Sequence, residues 1–415
     1  MKYSNTVTVT ERSTSVNRQD YFSDRANGMK RSVIRELLKL TAKPGIISFA
    51  GGLPAPATFP VKYVEAAVDV VIEEEHATAL QYGPTEGDAR LREDLSIIMR
   101  NDGIKTTADH ILVTTASQQG LDLVAKIFLN PGDTCITGSP TYLGGLQAFK
   151  SYQGVPVGVE LDEDGMIPEL LEETVHKLEK EGRRPRFIYI IPDFQNPAGV
   201  TIPEARRKRI LEIARKGEYL IIEDTPYRQL RYSGESQPTF QSMAPDMVLS
   251  LYTFSKILLP GFRLGWACGP DWIIDKMIMA KQAVDLCTPP FTQSITHAML
   301  VNGALEKGLE STIELYSKRR KLMLECLDRE FAGIGGVTWT KPEGGLFLWL
   351  TLPEGMNTED IFQQAVDEKV AYVPGSAFYP NNDNFRSMRL NFSYASEEQI
   401  VEGVKRLGNL VRKNI

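Results

Sequence analysis

From about residue 61 the chain alternates helical patterns with short apolar runs rich in β-branched residues, and this alternation narrows the fold more than any other feature. The runs are Ile111–Thr114, Thr134–Thr137, Phe187–Ile191, Tyr219–Ile222 and Val248–Tyr252. Strands that are apolar on both faces and separated by helices belong to a mainly parallel sheet covered on two sides. Most of them end in polar or turn residues: Thr115-Ala116-Ser117 after the first, Pro192-Asp193 after the third, Glu223-Asp224 after the fourth. Open α/β sheets bind ligands beyond the carboxyl ends of their strands, so these residues are the first place to look for a site.

After about residue 300 the pattern changes to a long amphipathic helix, Leu309 to Glu330, a strand-like Gly345–Thr351, a helix near Thr358 to Lys369 and a strand at Met388–Phe392. The expected organisation is an arm and part of a small domain over residues 1–60, with a helix at Arg31 to Thr41, a large α/β domain over 61–300, and a smaller α+β domain over 301–415. The net charge of −6 with scattered basic residues argues against nucleic acid or an anionic membrane as partner. The basic runs Arg206–Arg209 and Lys318–Lys321 fall in helical patterns and read as solvated faces. Cys135, Cys268, Cys287 and Cys326 lie far apart without metal-ligand spacing, which suits reduced thiols and no metal. The polar Met1–Asp20 stretch does not look like a signal peptide, and no run of about 18 apolar residues occurs, so a cytoplasmic location is expected.

Four segments carry chemistry. In Thr253–Trp266, Lys256 lies between hydroxyls and seven residues before Arg263, inside a Gly/Pro-punctuated loop. A lysine in a partly dry pocket loses proton affinity and becomes an amine able to form a Schiff base with an aldehyde. Thr253, Ser255 and Arg263 suit an anionic group such as phosphate. A solvated loop lysine beside a core strand is the plainer reading of the same residues. Thr114–Phe128 runs from a strand through small residues into a helix, with Ser117 as cap or anion ligand and Gln118 beside it. Pro192–Gly199 places Asn196 after a strand, where it is either part of a turn or a donor to a phenolate or carboxylate oxygen. Ile222–Arg228 ends an apolar strand with Asp224 and puts Tyr227 three residues on. A buried carboxylate there needs a cation, such as a protonated ring nitrogen, unless it caps the next segment.

Together with Gly51–Pro54, Tyr82–Gly87, Tyr142 and Arg389, these segments resemble, in order and over nearly the whole chain, the fold type I pyridoxal-phosphate aminotransferases of class I/II, the 2-aminoadipate/kynurenine group in particular. The resemblance implies a seven-stranded-type, mainly parallel sheet between helices, and pyridoxal 5'-phosphate as cofactor. It implies Lys256 as Schiff-base lysine and proton shuttle, Asp224 at the pyridine nitrogen, and Asn196 and Tyr227 at the phenolic oxygen. Tyr142 stacks on the ring, and Ser117, Gln118, Thr253, Ser255 and Arg263 grip the phosphate. Tyr82 reaches the phosphate of a partner subunit, which implies a homodimer with shared active sites. Arg389, with Asn196, clamps the substrate α-carboxylate, and Gly52 and Leu53 border the substrate.

Two departures narrow the reading. Thr253 stands where serine is more usual. The segment Ala26–Met29 lacks the arginine that reads a distal carboxylate in aminoadipate-specific relatives, and Lys30 and Arg31 are poorly phased to replace it. The expected reaction is therefore ping-pong transfer from a neutral, aliphatic or aromatic L-amino acid to a 2-oxo acid such as 2-oxoglutarate. The same scaffold serves cyclases, lyases and amino-acid oxidases, which is the main alternative. It also serves as a regulatory domain behind a DNA-binding module, for which only some 45 residues precede Ile46–Pro54.

Overall fold

The computed structural model describes residues 18–29, 45–381 and 383–415. Lys30, Arg31 and the helix expected at Arg31 to Thr41 lie outside the described residues. In chain order the strands are β1 (Ile47–Ser48), β2 (Ile111–Thr114), β3 (Thr134–Ser139), β4 (Val155–Asp162), β5 (Gly165–Met166), β6 (Phe187–Ile190) and β7 (Leu220–Asp224). They continue as β8 (Val248–Thr253), β9 (Gly265–Cys268), β10 (Thr338–Trp339), β11 (Phe347–Thr351), β12 (Val370–Ala371), β13 (Val373–Pro374) and β14 (Ser387–Asn391).

Eight of these build one sheet in the order β2-β9-β8-β7-β6-β3-β4-β5. The run from β8 to β4 is parallel, β9 is antiparallel to both its neighbours, and β5 is a two-residue return on β4. The sheet thus has the seven expected strands and one short addition. Sequence patterning does not reveal β4 or β9, because Pro156 and Gly158 interrupt the one and a loop-like glycine opens the other.

Alternation along the strands makes three layers. Tyr189, Ile222, Leu249 and Leu251 pack on one face against Leu121 and Val124 of the helix Ala116–Phe128 and Phe149 of the helix Leu143–Ser151. Ile188, Ile190, Ile221 and Val248 pack on the other against Leu171 and Val175 of the helix Pro168–Lys180 and Ile210 and Ala214 of the helix Glu204–Lys216.

The Arg206–Arg209 run is not a uniformly solvated face. Arg207 is 0% exposed. It lies on the helical stripe it shares with Ile210, Leu211 and Ala214, so its phase carries it into the core. Its guanidinium donates to Asp193 at 2.7 Å, and Arg228 donates to the same carboxylate at 3.0 Å. Burial alone would raise the Asp193 pKa, but the two guanidinium groups outweigh it and hold the carboxylate ionised. In the Lys318–Lys321 run, Arg319 and Arg320 turn back to the carbonyls of Ser393 and Pro342, while Lys318 and Lys321 stay exposed.

A second, antiparallel sheet follows the order β10-β11-β14-β13, and β1 pairs in parallel with β12. Ile47 and Ser48 therefore pair with the C-terminal part of the chain. The long helix spans Ala304–Glu330, beginning earlier than its apolar pattern, after Gly303 at φ +72°. The helix expected near Thr358 to Lys369 is shorter, Phe362–Asp367.

Replacing Asp193 with alanine leaves two buried guanidinium groups without their shared anion. Breaking a buried pair costs about 3–5 kcal/mol, so Asp193→Ala should lower unfolding stability by that order in guanidinium titration, whereas a change under about 1 kcal/mol would contradict the buried network.

Candidate active site

The carboxyl ends of β6, β7 and β8 deliver the polar residues to one place. Asp224 closes β7 and is 1% exposed. Its Oδ2 accepts a hydrogen bond from the Tyr189 hydroxyl at 2.8 Å, while Oδ1 has no partner among the described residues. Burial pushes its pKa up to about 7, with the Tyr189 hydrogen bond opposing. Buried polar atoms are normally satisfied, so Oδ1 marks a place for a donor, and a protonated pyridine nitrogen fits it.

Lys256 follows β8, and its Nζ donates to the Gly52 carbonyl at 2.7 Å. Burial, helped by the positive charges of Arg389 and Arg263, lowers its pKa to about 8. Beside it the Thr253 hydroxyl donates to Ser255 Oγ at 2.9 Å and accepts from the Ser255 N–H at 3.1 Å. Arg263, left-handed at φ +53°, donates to Ser255 Oγ at 3.3 Å. These hydroxyls and the guanidinium form a cluster without a carboxylate, which suits a phosphate.

Ser117 lies one turn into this region but is not the helix cap. Thr115 holds the N-cap position without a side-chain cap bond, and Ser117 is the second residue of the helix Ala116–Phe128. Strand β9 presses directly on that helix start: a Cβ on Gly265 would lie 2.5 Å from the Tyr252 carbonyl oxygen and 2.8 Å from the Ser117 nitrogen. Gln118 links this helix to the start of the helix Leu143–Ser151, accepting from the Tyr142 hydroxyl at 3.2 Å and donating to the Gly144 carbonyl at 3.0 Å. Gly144 lies so close under the Tyr142 ring that a Cβ there would come within 2.5 Å of it.

Asn196 is buried after β6. Its Nδ2 donates to the Tyr227 hydroxyl at 3.1 Å, and its Oδ1 accepts from Arg389 Nη1 at 2.9 Å. Burial raises the Tyr227 pKa, so the phenol is protonated at neutral pH. Arg389 comes from β14, is 2% exposed, and donates through Nη2 to the Ala50 carbonyl at 2.8 Å. The faces of Phe347 and Phe378 lie 4.1 and 4.9 Å from its guanidinium carbon. None of these partners is an anion. Burial lowers the Arg389 pKa to about 10, which leaves it charged at neutral pH.

The chain therefore brings together Ser117, Gln118, Tyr142, Asn196, Asp224, Tyr227, Thr253, Ser255, Lys256, Arg263, Arg389 and the Gly52 carbonyl. Leu53 is exposed at the side chain and accepts from Ser393 through its carbonyl at 2.9 Å. Tyr82 is left on the surface, 79% exposed. Reading the sequence missed Tyr189, Gly144 and Gly265. Gly265 lies inside the lysine segment, and Tyr189 is marked only by alternation, one residue before the end of β6.

The protein-family model described as aminotransferase class I and II matches residues 52–407. The chain is 48% identical over 399 residues to aromatic-amino-acid aminotransferase 1 of Thermococcus litoralis, covering 96% of this chain and 95% of the relative. Among solved structures it is similar to kynurenine aminotransferase of Pyrococcus horikoshii, in complex with PMP, with KYN as substrates and KYA as products: TM-score 0.92, 43% identity, 96% of this chain and 98% of that one. It is also similar to α-aminoadipate aminotransferase of Thermus thermophilus, complexed with N-(5'-phosphopyridoxyl)-L-leucine: TM-score 0.88, 36% identity, 96% and 99%.

Two outcomes follow from the geometry. Gly265→Ala forces strand and helix start apart, an overpacking of about 1–3 kcal/mol, so retention of pyridoxal 5'-phosphate in equilibrium dialysis should weaken roughly tenfold or more; unchanged retention would show that the helix start does not carry the phosphate. In the apoprotein, acylation of Lys256 by an amine-directed reagent, followed by peptide mapping, should rise with pH through a midpoint near about 8. A midpoint above about 10, where exposed lysines titrate, would contradict the dry lysine.

Proposed function

The chain belongs to the class I and II aminotransferases, and from that premise we propose that it moves the amino group of a neutral, aliphatic or aromatic L-amino acid to a 2-oxo acid such as 2-oxoglutarate by ping-pong exchange. Its cofactor is pyridoxal 5'-phosphate, which when bound supplies the aldehyde that takes up the amino group and a ring that withdraws electrons from the α-carbon. Asp224 Oδ1 would hold the ring nitrogen. Asn196 Nδ2 and the Tyr227 hydroxyl would serve the phenolic oxygen, and Tyr142 would cover the ring. Thr253, Ser255, Arg263 and the helix start at Ser117 and Gln118 would hold the phosphate. Lys256 Nζ removes the α-proton and returns it, a task suited to an amine whose proton affinity has fallen towards neutral pH.

The observation that carries this reading is a pair of buried groups without an opposite charge, both close enough to Tyr142 and Tyr227 to act on them. Arg389 is a buried cation with neutral partners, and Asp224 a buried carboxylate with one free oxygen. An amino acid supplies the carboxylate for the first, and the cofactor's ring the N–H for the second. The segment Ala26–Met29 without arginine supports neutral donors. The relatives' names agree in part: one is named for aromatic amino acids, and the α-aminoadipate aminotransferase is complexed with a phosphopyridoxyl-leucine. We place two chains around each pair of sites, with the exposed Tyr82 reaching the partner's phosphate and Gly52 and Leu53 bordering the substrate. The four free thiols support a cytoplasmic location.

A panel of amino donors with 2-oxoglutarate tests the proposal. Aromatic and aliphatic amino acids should turn over with kcat/KM well above aspartate, and the reverse order would overturn the donor assignment. Lys256→Ala should abolish turnover, and surviving activity would refute its role. Arg389→Ala removes two charge-assisted hydrogen bonds of about 1.5–3 kcal/mol each, so kcat/KM should fall on the order of a hundredfold or more while cofactor retention stays close to wild type.

A further inference from the structure

The Asp224 carboxylate has a neighbour that the family motifs leave out. Tyr189 and Asp224 sit on the adjacent parallel strands β6 and β7, where the register pairs Tyr189 with Ile222. Asp224, two residues beyond Ile222, shares that face of the sheet, and the phenol reaches it diagonally. Tyr189 is fully buried. Its ring meets Phe149 edge-on at 5.3 Å between centroids and lies close over Gly145, where a Cβ would come within 3.2 Å of it. A phenylalanine would satisfy this packing. The hydroxyl is unnecessary to the core and costly to bury unless it is bonded, and its partner is Oδ2 of Asp224 at 2.8 Å.

We propose that Tyr189 is a positioning residue for the cofactor's ring nitrogen: its O–H, donated to Oδ2, sets the rotation of the Asp224 carboxylate and keeps the negative charge on it, leaving Oδ1 to hold a protonated nitrogen. The inference rests on the reading of Asp224 given above. A hydrogen bond to the charged form of a carboxylate lowers its proton affinity, in line with the direction in which Tyr189 acts on Asp224. Without that donor the buried carboxylate becomes more basic, and the shared proton moves from the nitrogen to Asp224. A neutral pair withdraws electrons from the ring less well, so the chemical step slows while the amino acid, held elsewhere by Arg389, binds as before.

The test uses holoenzyme loaded with cofactor labelled with nitrogen-15 in the ring, whose chemical shift reports protonation of that nitrogen. The wild-type signal should lie in the protonated range, and Tyr189→Phe should move it towards the unprotonated one. A lost charge-assisted hydrogen bond is worth roughly tenfold or more, so the cofactor's dissociation constant should rise and kcat fall by about that factor, with the KM of the amino donor within about twofold. A wild-type shift in the protonated range that is unchanged in Tyr189→Phe would show that the tyrosine only fills space. An unprotonated wild-type signal would remove the Asp224 reading and this inference with it. If Tyr189→Phe does not accumulate folded, 3-fluorotyrosine at position 189, a stronger donor of nearly the same shape, should draw the shared proton further from Asp224 and move the nitrogen-15 signal further in the protonated direction; an unmoved signal would overturn the proposal.

Discussion

A carboxylate buried at the end of β7 with one free oxygen is the constraint around which the rest of the site is arranged. Burying an anion is unfavourable unless a cation or donors answer it, and Tyr189 answers only half of Asp224. A binding chamber must therefore bring a positively charged donor to the other half. In the function proposed above, the ring nitrogen of pyridoxal 5'-phosphate would be that donor. β8 leads directly into Lys256, and β9 presses the start of the helix Ala116–Phe128 close behind it.

The topology explains why residues so far apart in sequence converge. Five parallel strands point their carboxyl ends the same way, so their following loops share one edge. The substrate end comes from elsewhere. Arg389 belongs to the second sheet, and its guanidinium bridges Asn196 from the first sheet and Ala50 beside β1. The loops themselves are held from behind by Asp193, which ties the segment carrying Asn196 to Arg207 on the following helix and to Arg228, next to Tyr227. Charges that look alike in sequence thus differ in their partners: Arg207 is paired with Asp193, and Arg389 meets only neutral groups.

Much of this was legible in the chain. Fully apolar strands announced the parallel sheet, and polar residues beyond their ends located Asp224 and Asn196, while Lys256 stood out by its place between hydroxyls and before Arg263. What escaped depended on tertiary contact. β4 and β9 carry helix- and strand-breaking residues that pass for loop until neighbouring strands satisfy their backbone. Arg207 reads as one of four surface charges unless its helical phase against Ile210 and Ala214 is followed. Tyr189 is indistinguishable in sequence from a core aromatic, because the partner that gives its hydroxyl a purpose lies on the next strand. Ser117 shows the opposite case, a good cap by residue type that the turn leaves two positions past the cap at Thr115.

The central claim is that Lys256 is the amine that meets the cofactor's aldehyde. Reduction of the holoenzyme with borohydride, digestion and mass spectrometry test it most directly. The account predicts a phosphopyridoxyl group on the peptide that contains Lys256 and on no other. Its attachment to a different lysine, such as the buried Lys281, or to none, would contradict the account.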